Sequence, residues 1–220
     1  MNTGQFIAEI RKLAIDAADS PDARRYTDDE IVSQLNEVQD DFASQTKLLK
    51  KQTIFPTVAG TRDYALASRF MVSRQIVWDI DSTKRPIRFT EDLDFELGTS
   101  TGDPDVAYIW NERLHLYPTP NRIVNVLWRF WALPVPLAAS APTVSSELPE
   151  IWHQTVKNGA VASVLSGFED EERANRYQLL YQRGLERAKQ VSLFLFDGEP
   201  AGLEGGLSVP SLDDYEMGGF

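Results

Sequence analysis

The chain has 220 residues and a formal charge of −11, from 33 acidic and 22 basic side chains, with no cysteine. Disulfides, thiolate metal sites and cysteine nucleophiles are thereby excluded, and with His115 and His153 as the only imidazoles most histidine-rich metal sites go too. A surface of this sign repels phosphate backbones at long range, which argues against general duplex binding but leaves room for a local basic ring or a channel through which nucleic acid slides.

The opening MNTGQFIAEIRK lacks a basic end followed by a long apolar run, and no apolar stretch approaches about 20 residues, so neither a signal peptide nor a membrane anchor is expected. Phe6, Ile7, Ile10, Leu13 and Ala14 recur at helical spacing. A break is expected around Asp19, Ser20, Pro21 and Asp22. Thr27 followed by Asp28, Asp29 and Glu30 reads as a capping box, and Ile31, Leu35, Val38 and Phe42 continue a second helix. Residues 1–50 are expected to form a helical hairpin.

After Lys50 the pattern changes. Gln52, Thr53, Ile54 and Phe55 are β-prone, Tyr64 to Leu66 follow a turn, and Arg74 to Ile80 is a further strand candidate. Pro86 to Phe89 reads as a short extended piece, and Thr90 as the cap of a short helix through Phe95. Val106 to Trp110, then Arg113 to Tyr117, then Ile123 to Trp131 are read as an antiparallel meander, with Val124, Val126, Trp128 and Phe130 on one face. Residues 51–132 are thus expected to be a β-rich insertion.

Residues 133–147 form a Pro/Ala/Ser-rich connection, read as an ordered but irregular loop. Ile151, Trp152, Thr155, Val156, Ala160, Val161 and Val164 give a third helix its pattern. Acids at 169–172 open a fourth, complementing the helix dipole, and Ala174, Tyr177, Leu180, Tyr181, Leu185 and Ala188 give it a buried stripe. Residues 148–196 are assigned to these helices. Residues 197–220 are glycine-rich and carry Asp197, Glu199, Glu204, Asp213, Asp214 and Glu216 with no base. Without apolar periodicity this tail is expected to be extended alone, and Leu207, Leu212, Tyr215 and Phe220 suit it to an arm lying in a neighbour's groove. The fold class expected is α+β: mainly a bundle of about four helices with an inserted antiparallel β-rich part and an extended C-terminal arm.

No catalytic constellation stands out. Glu91, Asp92, Asp94, Glu96, Asp103 and Asp105 are a dense acidic run, but acid/base chemistry needs two carboxylates facing across a groove, and a solvated face accounts for them. Isolated glycines make neither a phosphate-binding loop nor a dinucleotide fingerprint. No cofactor, metal or catalytic residue is expected. Trp110, Trp128 and Trp131 are candidates for an oligomer interface, where aromatics supply contact area. Arg85 and Arg88, within a locally basic set that includes Arg62, Arg69, Arg74 and Lys84, are candidates for meeting acids of an adjacent copy or lining a channel. Two other functions compete: a hydrolase using Glu91 or Asp94, and a single-strand nucleic-acid-binding module using Arg and Lys beside Trp110 or Trp128.

Four segments in order carry a resemblance: Tyr26 to Ile31 leading into Leu35 to Gln39, Phe55 to Leu66, Arg113 to Pro120, and Leu148 to His153. Together they resemble the head-to-tail adaptor (connector, or head-completion) proteins of tailed bacteriophages, in the group with tail accessory factors of short-tailed phages. The resemblance covers roughly residues 5–195 and implies architecture rather than catalysis. It implies a structural virion protein at the head–tail junction, present in host cytoplasm during assembly. It further implies a ring, usually a dodecamer, that docks on the portal protein, extends the DNA channel and receives tail or nozzle proteins. Genomic DNA would pass through without sequence-specific binding.

Overall fold

A computed structural model of the chain describes residues 1–14, 26–80, 83–90, 99–167 and 170–196. Four helices, α1 (Thr3–Ala14), α2 (Asp28–Thr46), α3 (His153–Ser166) and α4 (Glu171–Phe196), flank nine strands in chain order among these residues.

The start of α2 is fixed by its capping box. The Glu30 amide donates to Thr27 Oγ1 at 3.2 Å, and the Thr27 amide donates back to Glu30 Oε2 at 2.8 Å. The Thr27 amide first, and then the Thr27 hydroxyl, which donates to the same Glu30 Oε2 at 2.9 Å, hold the Glu30 carboxyl below its ordinary value. The acids of this cluster therefore have a structural occupation, which extends to Asp28, whose Oδ1 receives the buried Arg11 guanidinium at 2.6 Å.

α3 is the central helix, buried nearly all round because α1, α2 and α4 all pack on it. Small residues permit this. A Cβ on Gly159 would lie 2.6 Å from Val38 of α2 and 3.0 Å from Tyr181 of α4, and one on Gly184 would run into Thr155. With Phe42 and Trp152 in ring contact at 5.9 Å, these pairings fix direction: α3 runs antiparallel to both α2 and α4, which run parallel to each other. A 3-10 turn, Glu150–Trp152, leads into α3, and it leaves Ile151 73% exposed, contrary to the helical pattern read from the sequence. Leu180, also assigned to a buried stripe, is 39% exposed. The connection 133–147 lies across α1 and α2: the Thr3 amide donates to the Val144 carbonyl, and Asn36 exchanges two 2.9 Å bonds with Leu137.

The strands are β1 (Lys50–Pro56), β2 (Asp63–Ala65), β3 (Phe70–Ile80), β4 (Thr83–Phe89), β5 (Thr101–Gly102), β6 (Val106–Trp110), β7 (Arg113–Tyr117), β8 (Thr119–Pro120) and β9 (Asn125–Ala132). Seven of them make one sheet in the order β1-β9-β3-β4-β6-β7-β2, and β5 pairs with β8. The strands are too substantial for the chain to be mainly a helical bundle; it is α+β, with four helices and a curled sheet. β1 and β2 are consecutive in the chain yet stand at opposite ends of the sheet order, so the sheet must curl to bring them together. Phe55 of β1 and Tyr64 of β2 meet with ring centroids 5.1 Å apart, and the Tyr64 hydroxyl donates to the Thr61 carbonyl at 2.9 Å.

The meander read from the sequence is only half formed. β6 and β7 make a hairpin whose turn residues, Asn111 and Glu112, both have positive φ, as a two-residue type I′ turn requires. β9 then leaves, and inserts between β1 and β3. Val126, Leu127 and Trp128 are buried in succession, the mark of a strand covered on both faces. The β part is also not wholly antiparallel, since β4 with β6 and β5 with β8 are parallel pairs. Alternation reports which face a side chain takes, not which strand lies alongside.

Two hydrophobic clusters result. One lies among the helices around Phe6, Ile10, Leu35, Phe42 and Val161. The other lies within the curl around Ile76, Trp78, Leu114, Leu116, Trp128 and Phe130. Arg69 joins the two parts, pairing with Asp40 of α2 and donating from Nε to the Pro134 carbonyl at 3.0 Å. Lys51 of β1 does likewise, reaching Glu147 at 2.9 Å. Burial opposes ionisation of Glu147, but bonds from Lys51 and the Val135 amide outweigh it and hold that carboxyl below its usual range.

Candidate interaction surfaces

Two irregularities in β3 shape the surface. Its register against β9 shifts between Phe70 and Val72 and again between Ser73 and Gln75, leaving Met71 and Arg74 as extra residues. Such bulges bend a strand and re-aim its side chains.

The first opens an apolar groove of about 450 Å³, lined by Phe70, Met71, Val72, Phe89, Ile109 and Trp110. Val72, Phe89 and Trp110 are 41%, 37% and 50% exposed, an uncommon concentration of large apolar surface. Trp110 ends β6, and its carbonyl lies 3.2 Å from His115 Nε2, while the His115 ring stacks on Tyr108 at 5.0 Å. His115 is thus an orienting residue of the hairpin. His153 is buried, with Nε2 2.9 Å from the Leu148 carbonyl, and burial pushes its pKa down.

The second leads to a basic cleft of about 250 Å³, lined by Lys50, Gln52, Arg74 and Arg129 together with Lys51 and Phe130. Lys50 stands opposite Trp131, and Gln52 opposite Arg129, so these four share one face of the β1–β9 pair. Arg129 is braced by two amide oxygens, from Nε to Gln52 at 3.2 Å and from Nη1 to Gln75 at 3.0 Å. The Lys47 ammonium lies 5.5 Å from the Trp131 ring centroid, extending the positive face. Partial burial, then the Arg74 guanidinium, pushes the Lys50 pKa below its ordinary value. None of the described lining residues is acidic. The cleft is suited to an anion, and the groove to an apolar side chain.

The residues singled out from the sequence are dispersed. Trp110 stands on the groove and Trp131 beside the cleft. Trp128 is a core residue, 1% exposed, with Nε1 donating to Ser73 Oγ at 3.1 Å, so it has no surface to offer a partner. Its place on a central strand, invisible in the alternation, is the reason. Arg85 is exposed, 3.9 Å from Asp103, and Arg88 is exposed on β4. Asp103 itself is held by Arg122 through two bonds of 3.0 and 2.7 Å. Glu91, Asp92, Asp94 and Glu96, the helix expected from Thr90, and Leu207, Leu212, Tyr215 and Phe220 lie outside the described residues. Sequence reading missed Phe70, Val72 and Phe89 as groove residues and Lys50 as a partner of Arg74 and Arg129. The runs of alternation that place them on a face were available, but the register that brings them together was not.

Among the described residues no group of three His, Asp or Glu side chains could hold a metal ion, and no helix is long and apolar enough to cross a membrane. A family model described as SU10 adaptor protein matches residues 1–195, which takes in all four helices and both sheets almost to the last residue. No curated protein matches the chain.

Proposed function

Because the chain belongs to the SU10 adaptor protein family, a family of phage head-to-tail adaptors, we propose that it is a structural, non-enzymatic virion protein forming a ring, a dodecamer, that docks on the portal protein. In this reading the ring extends the DNA channel and receives the tail or nozzle proteins. The single observation that carries it is the extent of the family match, which spans helices and strands alike rather than one motif.

The division of labour we propose follows the two hydrophobic clusters. Residues 1–50 and 148–196 act as the helical body, residues 51–132 as the β-rich insertion that meets neighbours, residues 133–147 as the link, and residues 197–220 as an arm that reaches the portal. Ring closure needs a heterologous contact, one patch on each copy against a different patch on the next. The groove at Val72, Phe89 and Trp110 supplies apolar area for such a contact, and Trp131, Arg85 and Arg88 are proposed to flank it or the channel. A net charge of −11 is compatible with DNA moving past without adhering.

Imaging of particles made by a phage lacking this chain tests the role. DNA-filled heads without tails are expected, with tails restored by supplying the chain in trans. Normal tailed particles in its absence would refute an adaptor role.

A further inference from the structure

The basic cleft is not explained by a head–tail role, and its position relative to α4 gives it a specific occupant. α2 and α4 run parallel, with Asp41 level with Tyr181, whose hydroxyl donates to it at 2.5 Å. From that level α2 continues only to Thr46, while α4 continues to Phe196. At the helical rise of 1.5 Å per residue, α4 projects about 15 Å past the end of α2. The chain leaves α2 at the same end, through the left-handed Lys47, and reaches the cleft at Lys50 three residues later. The point from which residue 197 departs is therefore on the cleft's side of the helices.

The charges match. Residues 197–220 carry six acids and no base. The cleft presents Lys50, Arg74 and Arg129, with Lys47 beside it, and no acidic side chain among its described lining. Arg129 is fixed by Gln52 and Gln75, so its guanidinium is oriented before any anion arrives. An extended segment of this length spans on the order of 80 Å, ample to return to β1.

We propose that the cleft formed by Lys50, Arg74 and Arg129 is a docking site for the acidic segment 197–220 of the same chain. Held there, the segment is stored against the chain's own sheet until a competing surface draws it out. The inference does not depend on ring formation or on the portal. A phosphate backbone is the other anion of matching chemistry, but a chain of net charge −11 disfavours its approach, whereas a tethered segment binds at high effective concentration.

Carbodiimide cross-linking of the full chain, read by peptide mass spectrometry, tests this. Lys50 is expected to link to carboxylates of 197–220 within single chains, at a yield independent of protein concentration. The yield should fall several-fold in Arg74→Glu/Arg129→Glu, whose sites are exposed, and fall similarly near 1 M salt, where screening acts over about 3 Å. Arg74→Lys/Arg129→Lys should keep the link. In the reversed-charge cleft, adding Asp213→Lys/Asp214→Lys should create new links between the segment and the cleft. Links that form only between chains, no link at Lys50, or a link indifferent to the charge of Arg74 and Arg129 would each overturn the proposal. So would tight binding of a single-stranded oligonucleotide at the cleft that leaves the Lys50 link untouched.

Discussion

Thr27 and Glu30 exchange bonds at the first turn of α2, and the exchange has a pH signature. Glu30 has a lowered pKa in the folded chain. Its contribution is therefore present above the ordinary carboxylate range and lost as pH falls through the lowered folded value. Thr27→Ala should destabilise the protein by about 1 kcal/mol at neutral pH, the usual cost of a lost N-cap. Denaturant titrations at pH 7 and pH 3 are expected to show the difference between the two proteins shrinking at the lower pH. Equal differences at both would show that Glu30 takes no part.

Tyr181 gives the opposite sign. Burial, and then Asp41, pushes its phenol well above the ordinary tyrosine value. The folded chain keeps this proton where the unfolded chain would lose it, so the stability it contributes is complete below the ordinary value and lost as pH climbs above it. Tyr181→Phe should cost about 1 kcal/mol at pH 8, typical of one hydrogen bond. It should also weaken the fall in stability between pH 9 and pH 11, measured by chemical denaturation.

At the scale of elements, the tight seams are α2–α3–α4. Gly184→Ala would ordinarily gain about 1 kcal/mol of helix propensity. Here the new methyl meets Thr155, a β-branched residue with little rotamer freedom on a helix. Overpacking of this kind costs about 1–3 kcal/mol, so the net change is expected to be destabilising. A rise in melting temperature would show that α3 and α4 can separate without loss.

The helices were largely legible because an apolar stripe defines α1, α2 and α4, while α3 is apolar or small over most of its surface. Phe6 and Ile10, Ile31 and Leu35, and Tyr181 and Leu185 are all buried as their spacing implies. Ile151 was misassigned because a 3-10 turn changes the period just before α3. Strand positions were legible, but sheet order was not. The pairing of Gln52 with Arg129 joins residues far apart in sequence, and nothing local encodes it. That is also why Trp128, a buried core residue, was taken for an interface candidate and why the cleft went unseen, whereas Trp110, at the end of a hairpin strand, is 50% exposed.

On the scale of the molecule, Arg69 and Lys51 are two of the links between the helical part and the sheet, each with its own hydrophobic cluster. Arg69→Met removes both the Asp40 pair and the bond to Pro134. Limited proteolysis is expected to cut near residues 66–69 and 133–136 several-fold faster in this variant, with hydrogen exchange in α3 unchanged. Faster exchange throughout α3 would show that the two clusters unfold as one unit.

The central claim is that the chain is an adaptor that assembles on a portal, and native mass spectrometry of the full chain, alone and mixed with the portal ring of the same phage, tests it most directly. The account predicts one discrete complex carrying a ring of adaptor copies. A chain that keeps its free mass and ignores the portal at every ratio would contradict it.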